Sequence, residues 1–128
     1  MSMEEAETLK LRAEAFLKNA ENLIEEGVYD IAAFNLEQYA QLILKHKLLT
    51  KTSTYPRTRS IIRLLRELAK IDQSAENLIQ EEGNIIYLTK LEDAYIGARY
   101  LPRRYEEVEV KAMLKFIKEV FKPVVDKI

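Results

Sequence analysis

The sequence predicts an all-α protein, an antiparallel up-and-down helical bundle of four long helices plus one short helix. Three observations carry this. Hydrophobic residues make up 48% and charged residues 32% of the 128 positions, too apolar for disorder. Only three Gly and three Pro are present, too few for the turns of a many-stranded β fold. Apolar residues recur at helical spacing along nearly the whole chain, and no stretch alternates as a strand would. The length fits a single domain, residues 1–128, with one full core.

The first helix is expected from Met3 to Glu26, with Leu9, Ala13, Phe16, Ala20 and Leu23 at alternating steps of four and three. Gly27 supplies a left-handed stop. Asp30 opens a second helix reaching Leu49, its carboxylate suited to the positive helix start. This helix is apolar around much of its circumference, including Ile31, Ala32, Phe34, Leu36, Tyr39, Ala40, Ile43 and Leu44. Such a helix is either central in the bundle or shared with a second subunit.

A polar loop from Thr50 ends in the extended dipeptide Tyr55-Pro56. A helix is expected over Thr58 to Ile71, then a short one over Ser74 to Glu82, broken by Gly83. Asn84 is expected to cap the following helix, which carries Leu88, Leu91, Tyr95 and Ala98 and stops at Pro102. Glu106 and Glu107 start the last helix, with Met113, Phe116, Ile117, Val120 and Phe121 on its inner face.

Several function classes are excluded or disfavoured by composition. Cys is absent, so disulfides, thiolate catalysis and cysteine zinc sites are removed together. His46 is the sole histidine and has no partner ligand at helical spacing; no metal site and no cofactor are expected. No glycine-rich phosphate loop or nucleophile elbow occurs. The acid pairs Glu25-Glu26 and Glu81-Glu82 are adjacent, so they cannot share a helix face as an acid/base pair. The start MSMEEAETLK lacks the apolar core of a secretion signal, and no run is long enough to cross a membrane. A cytoplasmic location is expected.

The net charge of −1 hides a marked asymmetry. No acid occurs between Glu37 and Glu67, while Lys45, Lys47, Lys51, Arg57, Arg59, Arg63 and Arg66 fall within that span. Apart from Arg12, every arginine lies in 57–66 or 99–104. Arg59, Arg63 and Arg66 are spaced to share one helix face. The second cluster, Tyr95-Ile-Gly-Ala-Arg99-Tyr100-Leu-Pro-Arg103-Arg104-Tyr105, interleaves rings and guanidiniums, a pattern suited to stacking on bases and holding phosphates. Arginine is preferred to lysine where planar, bidentate contact to an anion matters. The competing reading is a solvated basic face, neutralised by the glutamates of the first helix.

Three segments in order resemble the HEPN domain family. They are Ala15-Phe-Leu-Lys-Asn-Ala20 leading to Gly27-Val-Tyr-Asp-Ile-Ala32, then Tyr55-Pro-Arg-Thr-Arg-Ser60, then Tyr95-Ile-Gly-Ala-Arg99-Tyr100. The resemblance implies a bundle of about five helices, commonly a homodimer. It also implies a minimal nucleotidyltransferase as a possible partner, in many cases within a toxin–antitoxin pair. Some relatives are metal-independent ribonucleases whose motif is an Arg separated from a His by four to six residues.

Here Arg99 matches the arginine, but Arg104, Tyr105 and Glu106 stand where the histidine would be. Arg59 stands where relatives often carry another His. The side chain best suited to moving protons near neutral pH is therefore missing at both places. The expected function is a binding module whose cationic cleft takes nucleotide, RNA or a nucleotidyltransferase partner, through Arg59, Arg63, Tyr95, Arg99, Arg103 and Arg104. The alternatives are a ribonuclease with a degenerate motif, relying on Arg99, and a structural adaptor bundle.

Overall fold

The computed structural model describes residues 3–128, and every regular element among them is helical. The order is α1 (Met3–Glu25), α2 (Tyr29–Thr52), α3 (Ile61–Ala69), α4 (Gln73–Gln80), α5 (Glu82–Gly97) and α6. The last helix comprises Glu107–Phe116, a π turn at Ile117–Phe121 and a final segment Lys122–Asp126. Six helices among the described residues replace the expected four long and one short. Each of the six ranges expected to be helical holds one of these helices. The total differs because α3, shortened to nine residues by a start at Ile61, is a second short helix beside the eight-residue α4, and four long ones remain.

Helices α1 and α2 form the backbone of the bundle. Ala13 and Ala20 of α1 and Ala32, Ala33 and Ala40 of α2 are fully buried, which lets the two helices lie close. The seam of α1 runs through Leu17 and Ile24, with Phe16 and Leu23 half-buried at its edge. Gly27, at φ +79°, turns the chain in the left-handed region, and the Val28 N–H donates to the Leu23 carbonyl at 2.8 Å. The Asn19 side-chain amide donates to that of Asn35, pinning the register at 3.1 Å.

Helix α2 occupies the centre. It packs against α1, α3, α5 and α6, so most of its apolar residues are buried or half-buried within the chain itself, while Ile31 stays exposed. It also runs three residues past the expected end, to Thr52, whose hydroxyl donates to the Leu48 carbonyl. Ser53, in the left-handed region at φ +69°, closes it.

The α4–α5 break lies at Glu81, in extended conformation, and not at Gly83, which falls within the first turn of α5. Asn84 likewise does not cap α5. Its buried side-chain amide reaches back and donates to the Leu78 carbonyl, satisfying the end of α4 instead. Helix α5 ends at Gly97, five residues before Pro102, where the Tyr105 hydroxyl lies close over the backbone. A Cβ at Gly97 would meet the Tyr105 hydroxyl oxygen at 3.2 Å.

The Glu106 carboxylate accepts from the Glu109 N–H and the Glu109 carboxylate from the Glu106 N–H, a reciprocal cap on α6. The π turn has a local cause at Pro123, which lacks an N–H and whose ring would crowd the Glu119 carbonyl in a regular α turn. The widened register brings Phe121 edge-on to Tyr39, with centroids 6.1 Å apart. No helix among the described residues is long and apolar enough to cross a membrane.

Candidate functional site

The two arginine-bearing segments meet at one ring. Glu92 of α5 accepts from the Ser60 hydroxyl at 2.5 Å and from the Ile62 N–H at 2.8 Å, so it caps the start of α3. Ser60 in turn accepts from the Arg63 N–H. This clamp fixes the extended residue before it, and the Arg59 guanidinium lies 4.5 Å from the centroid of Tyr95, one turn beyond Glu92. Arg59 therefore precedes α3 and does not share a helix face with Arg63 and Arg66.

Arg99 approaches the same ring. Its guanidinium lies 4.4 Å from the Tyr95 centroid, 4.4 Å from Phe34 and 4.6 Å from Tyr100. Its Nε–H donates to the Tyr95 carbonyl at 2.9 Å, which sets the direction of the side chain. A guanidinium stacked on rings keeps in-plane N–H donors for an incoming anion. Both arginines are exposed. Hydrogen bonding by Arg59, then by Arg99, holds the Tyr95 hydroxyl below the usual phenol range.

Beneath the rings runs a polar row on α2 that composition does not single out. Glu37 is fully buried; its two oxygens accept from the Gln38 and Gln41 side chains at 2.6 and 2.8 Å. Gln41 then accepts from Lys45 at 2.8 Å, and Lys45 lies 5.5 Å from the Tyr55 ring centroid. Burial pushes the Glu37 carboxyl up to about 7, against the two glutamine bonds and the charges of Arg99 and Lys45. The signal is present in the sequence as polar residues at positions 37, 41 and 45, spaced by four on an otherwise apolar helix.

The remaining arginines are placed elsewhere. Arg103 pairs with Glu109, which also holds Lys90, and stacks 4.0 Å from the Tyr105 centroid. With Gly97 and Leu101 it lines a separate depression of about 390 Å3. Arg63 and Arg104 are exposed. Of the six candidate residues, the fold thus gathers Arg59, Tyr95 and Arg99 and adds Phe34, Tyr100, Glu37 and Lys45 around them.

The model of the HEPN domain matches residues 6–128. The chain belongs to the HEPN domain family. No curated protein matches it. The crystal structure of TT1696 from Thermus thermophilus is similar, with a TM-score of 0.76 at 24% identity. The match covers 98% of this chain and all of that one. That likeness concerns the fold.

Within this HEPN chain no imidazole reaches the arginine cluster. Arg104 and Glu106 are exposed, and Tyr105 is buried against Gly97. The Tyr105 N–H donates to Asp30 at 2.7 Å, which ties the α5–α6 connection to the start of α2. His46 belongs to another face of α2, with its ring against α1. Among the described residues no group of three or more His, Asp or Glu side chains is placed to hold a metal ion.

Proposed function

We propose that this HEPN domain is a phosphate-binding module that takes RNA or a nucleotide on the Arg59–Tyr95–Arg99 face. The observation that carries the reading is the pair of exposed guanidiniums stacked on one tyrosine, with no described carboxylate paired to either. Stacking restrains both side chains before binding, so less freedom is lost when an anion arrives. Phe34 and Tyr100 offer further ring surface for a base. Exposure suits a strand or a phosphate presented by a nucleotidyltransferase, the partner that family membership suggests, including a toxin–antitoxin pairing.

Binding is favoured over ribonuclease chemistry. Burial pushes the Glu37 carboxyl up to about 7, but it is sealed beneath the site and both its oxygens are engaged. Single-stranded RNA should therefore bind without being cut. Logarithmic plots of affinity against salt should fall with a slope reflecting several phosphate contacts. Salt-insensitive binding would end the proposal in favour of an adaptor role, and cleavage abolished by Arg99→Ala would replace it with the ribonuclease reading.

We propose further that the chain forms a homodimer. Ile31, Ile96, Tyr100, Leu101 and Val108 are large apolar residues left exposed on α2, α5, the α5–α6 turn and α6. Sedimentation equilibrium at micromolar concentration should return about twice the 15.0 kDa chain mass. Leu101→Asp should return the monomer mass. A monomer for the unmodified chain at higher concentrations would remove the claim.

A further inference from the structure

Helix α5 carries Glu92, Tyr95 and Arg99 at steps of three and four, on one stripe of its surface. Tyr95 and Arg99 belong to the binding face described above. Glu92 is a half-buried acid one turn before that face, and among the described residues it pairs with neither arginine. Its Oε1 accepts both bonds of the clamp, from the Ser60 hydroxyl and from the Ile62 N–H, one of the free donors at the start of α3.

The two arginines of the face are held differently. Arg99 is fixed by contacts of its own, the Nε–H bond to the Tyr95 carbonyl and three rings within 4.6 Å. Arg59 meets Tyr95 alone among the described residues, and it rises from 53–60, a segment outside any helix. An arginine side chain loses much rotational freedom on being ordered, so its place depends on where its backbone is held. Tyr55 packs on the core toward one end of that segment, and Ser60 is tied to Glu92 at the other, next to Arg59.

We propose that Glu92 is a positioning residue, which seats Arg59 on the Tyr95 ring and thereby strengthens anion binding, although its own charge opposes an anion. The gain in affinity rests on the function proposed above; the seating of Arg59 does not. A carboxylate that acted only as a charge would weaken the site by repulsion, and removing it would tighten binding. The clamp gives the opposite sign, because its loss frees the segment and leaves Arg59 to be ordered by the ligand.

Glutamine and alanine at position 92 remove the same charge but differ in geometry. A single carboxylate oxygen serves both bonds, and an amide oxygen has the two lone pairs to do the same. Glu92→Gln should therefore bind a short labelled single-stranded RNA at least as tightly as the unmodified chain at fixed salt. Glu92→Ala should bind it about tenfold more weakly, near the loss from Arg59→Ala. Glu92→Ala with Arg59→Ala should be no weaker than Arg59→Ala alone, whereas Glu92→Ala with Arg99→Ala should show both losses. Ser60→Ala keeps the charge and breaks one bond of the clamp, so it should weaken binding in the same direction.

A second readout needs no ligand. Hydrogen bonding by Arg59 is the largest cause holding the Tyr95 phenol low. Its titration is followed by NMR with ring-labelled tyrosine and assigned with Tyr95→Phe. Glu92→Ala should raise that titration as Arg59→Ala does, and Glu92→Gln should not. Loss of a negative charge alone would lower it in both. An unmodified chain that binds no RNA would remove the proposed function, and the Tyr95 titration would still decide whether Glu92 seats Arg59. Circular dichroism checks each variant. Alanine suits a helix interior, so Glu92→Ala is expected to fold, and Ser60→Ala stands in its place otherwise. Alanine and glutamine acting alike on the Tyr95 titration, or on the affinity of an RNA that the unmodified chain binds, would overturn the proposal.

Discussion

Replacing Arg99 with alanine is expected to weaken RNA or nucleotide binding by about ten- to a hundredfold, the loss of charge-assisted hydrogen bonds to a phosphate. Fluorescence anisotropy with a short labelled RNA at fixed salt measures it. Stability should fall by only about 1 kcal/mol, because the residue is exposed and its ring contacts are cation–π pairs. Arg99→Lys should recover only part of the affinity, since the ammonium keeps the charge but not the planar fork. Arg59→Ala should act in the same direction and, combined with Arg99→Ala, reduce the salt slope. The control is Arg103→Ala, which breaks the pairing with Glu109 and should affect stability more than affinity. An Arg103 variant as weak in binding as the Arg99 variant would mean a diffuse basic surface and no local site.

The bundle is legible in the sequence because its signals are local and redundant. Gly27 at positive φ and the Glu106–Glu109 cap each act within a turn of their own position. Asn84 shows where local rules fail. Its residue type favours a cap, and it is one, but for the helix behind it, across a break that nothing in the side chains marks. The α1 seam keeps the expected Ala13 and Ala20 but takes Leu17 and Ile24 in place of Phe16 and Leu23. Both sets alternate by four and three through the two alanines, so spacing alone does not choose between the two flanks.

The site is half legible for a different reason. Arg59 and Arg99 are conspicuous as clustered cations, but only the fold reveals that both rest on Tyr95, and that Arg103 instead turns toward Glu109. Glu37 is marked in the sequence only by its spacing of four from Gln41 and Lys45, which a solvated polar stripe would share. Its importance depends on burial, which depends on α2 being central.

That buried carboxyl leads to the second large effect, a dependence of stability on pH that runs opposite to that of an ordinary paired acid. Glu37 is pushed up from 4.5 to about 7, first by desolvation, despite the bonds from Gln38 and Gln41 and the charges of Arg99 and Lys45. Between these values the folded chain holds a proton that the unfolded chain has released. Stability from this group is therefore complete below about pH 4.5, declines as pH rises through about 7, and is flat above. The span corresponds to about 3 kcal/mol. Glu37→Gln keeps the shape without the charge, so its urea-unfolding free energy should lack this decline. The difference between variant and unmodified chain should move in favour of the variant from about pH 4.5 to about 8. Arg99→Ala removes one of the charges that favour the carboxylate, so it should carry the decline to higher pH. The arginine that faces the ligand and the acid beneath it are thereby linked. An anion that draws on the charge of Arg99 should also favour protonation of Glu37, and its binding should strengthen as pH falls through neutrality. Parallel stability curves for the Glu37→Gln variant and the unmodified chain across this range would show the carboxyl to be solvated, and the linkage would go with it.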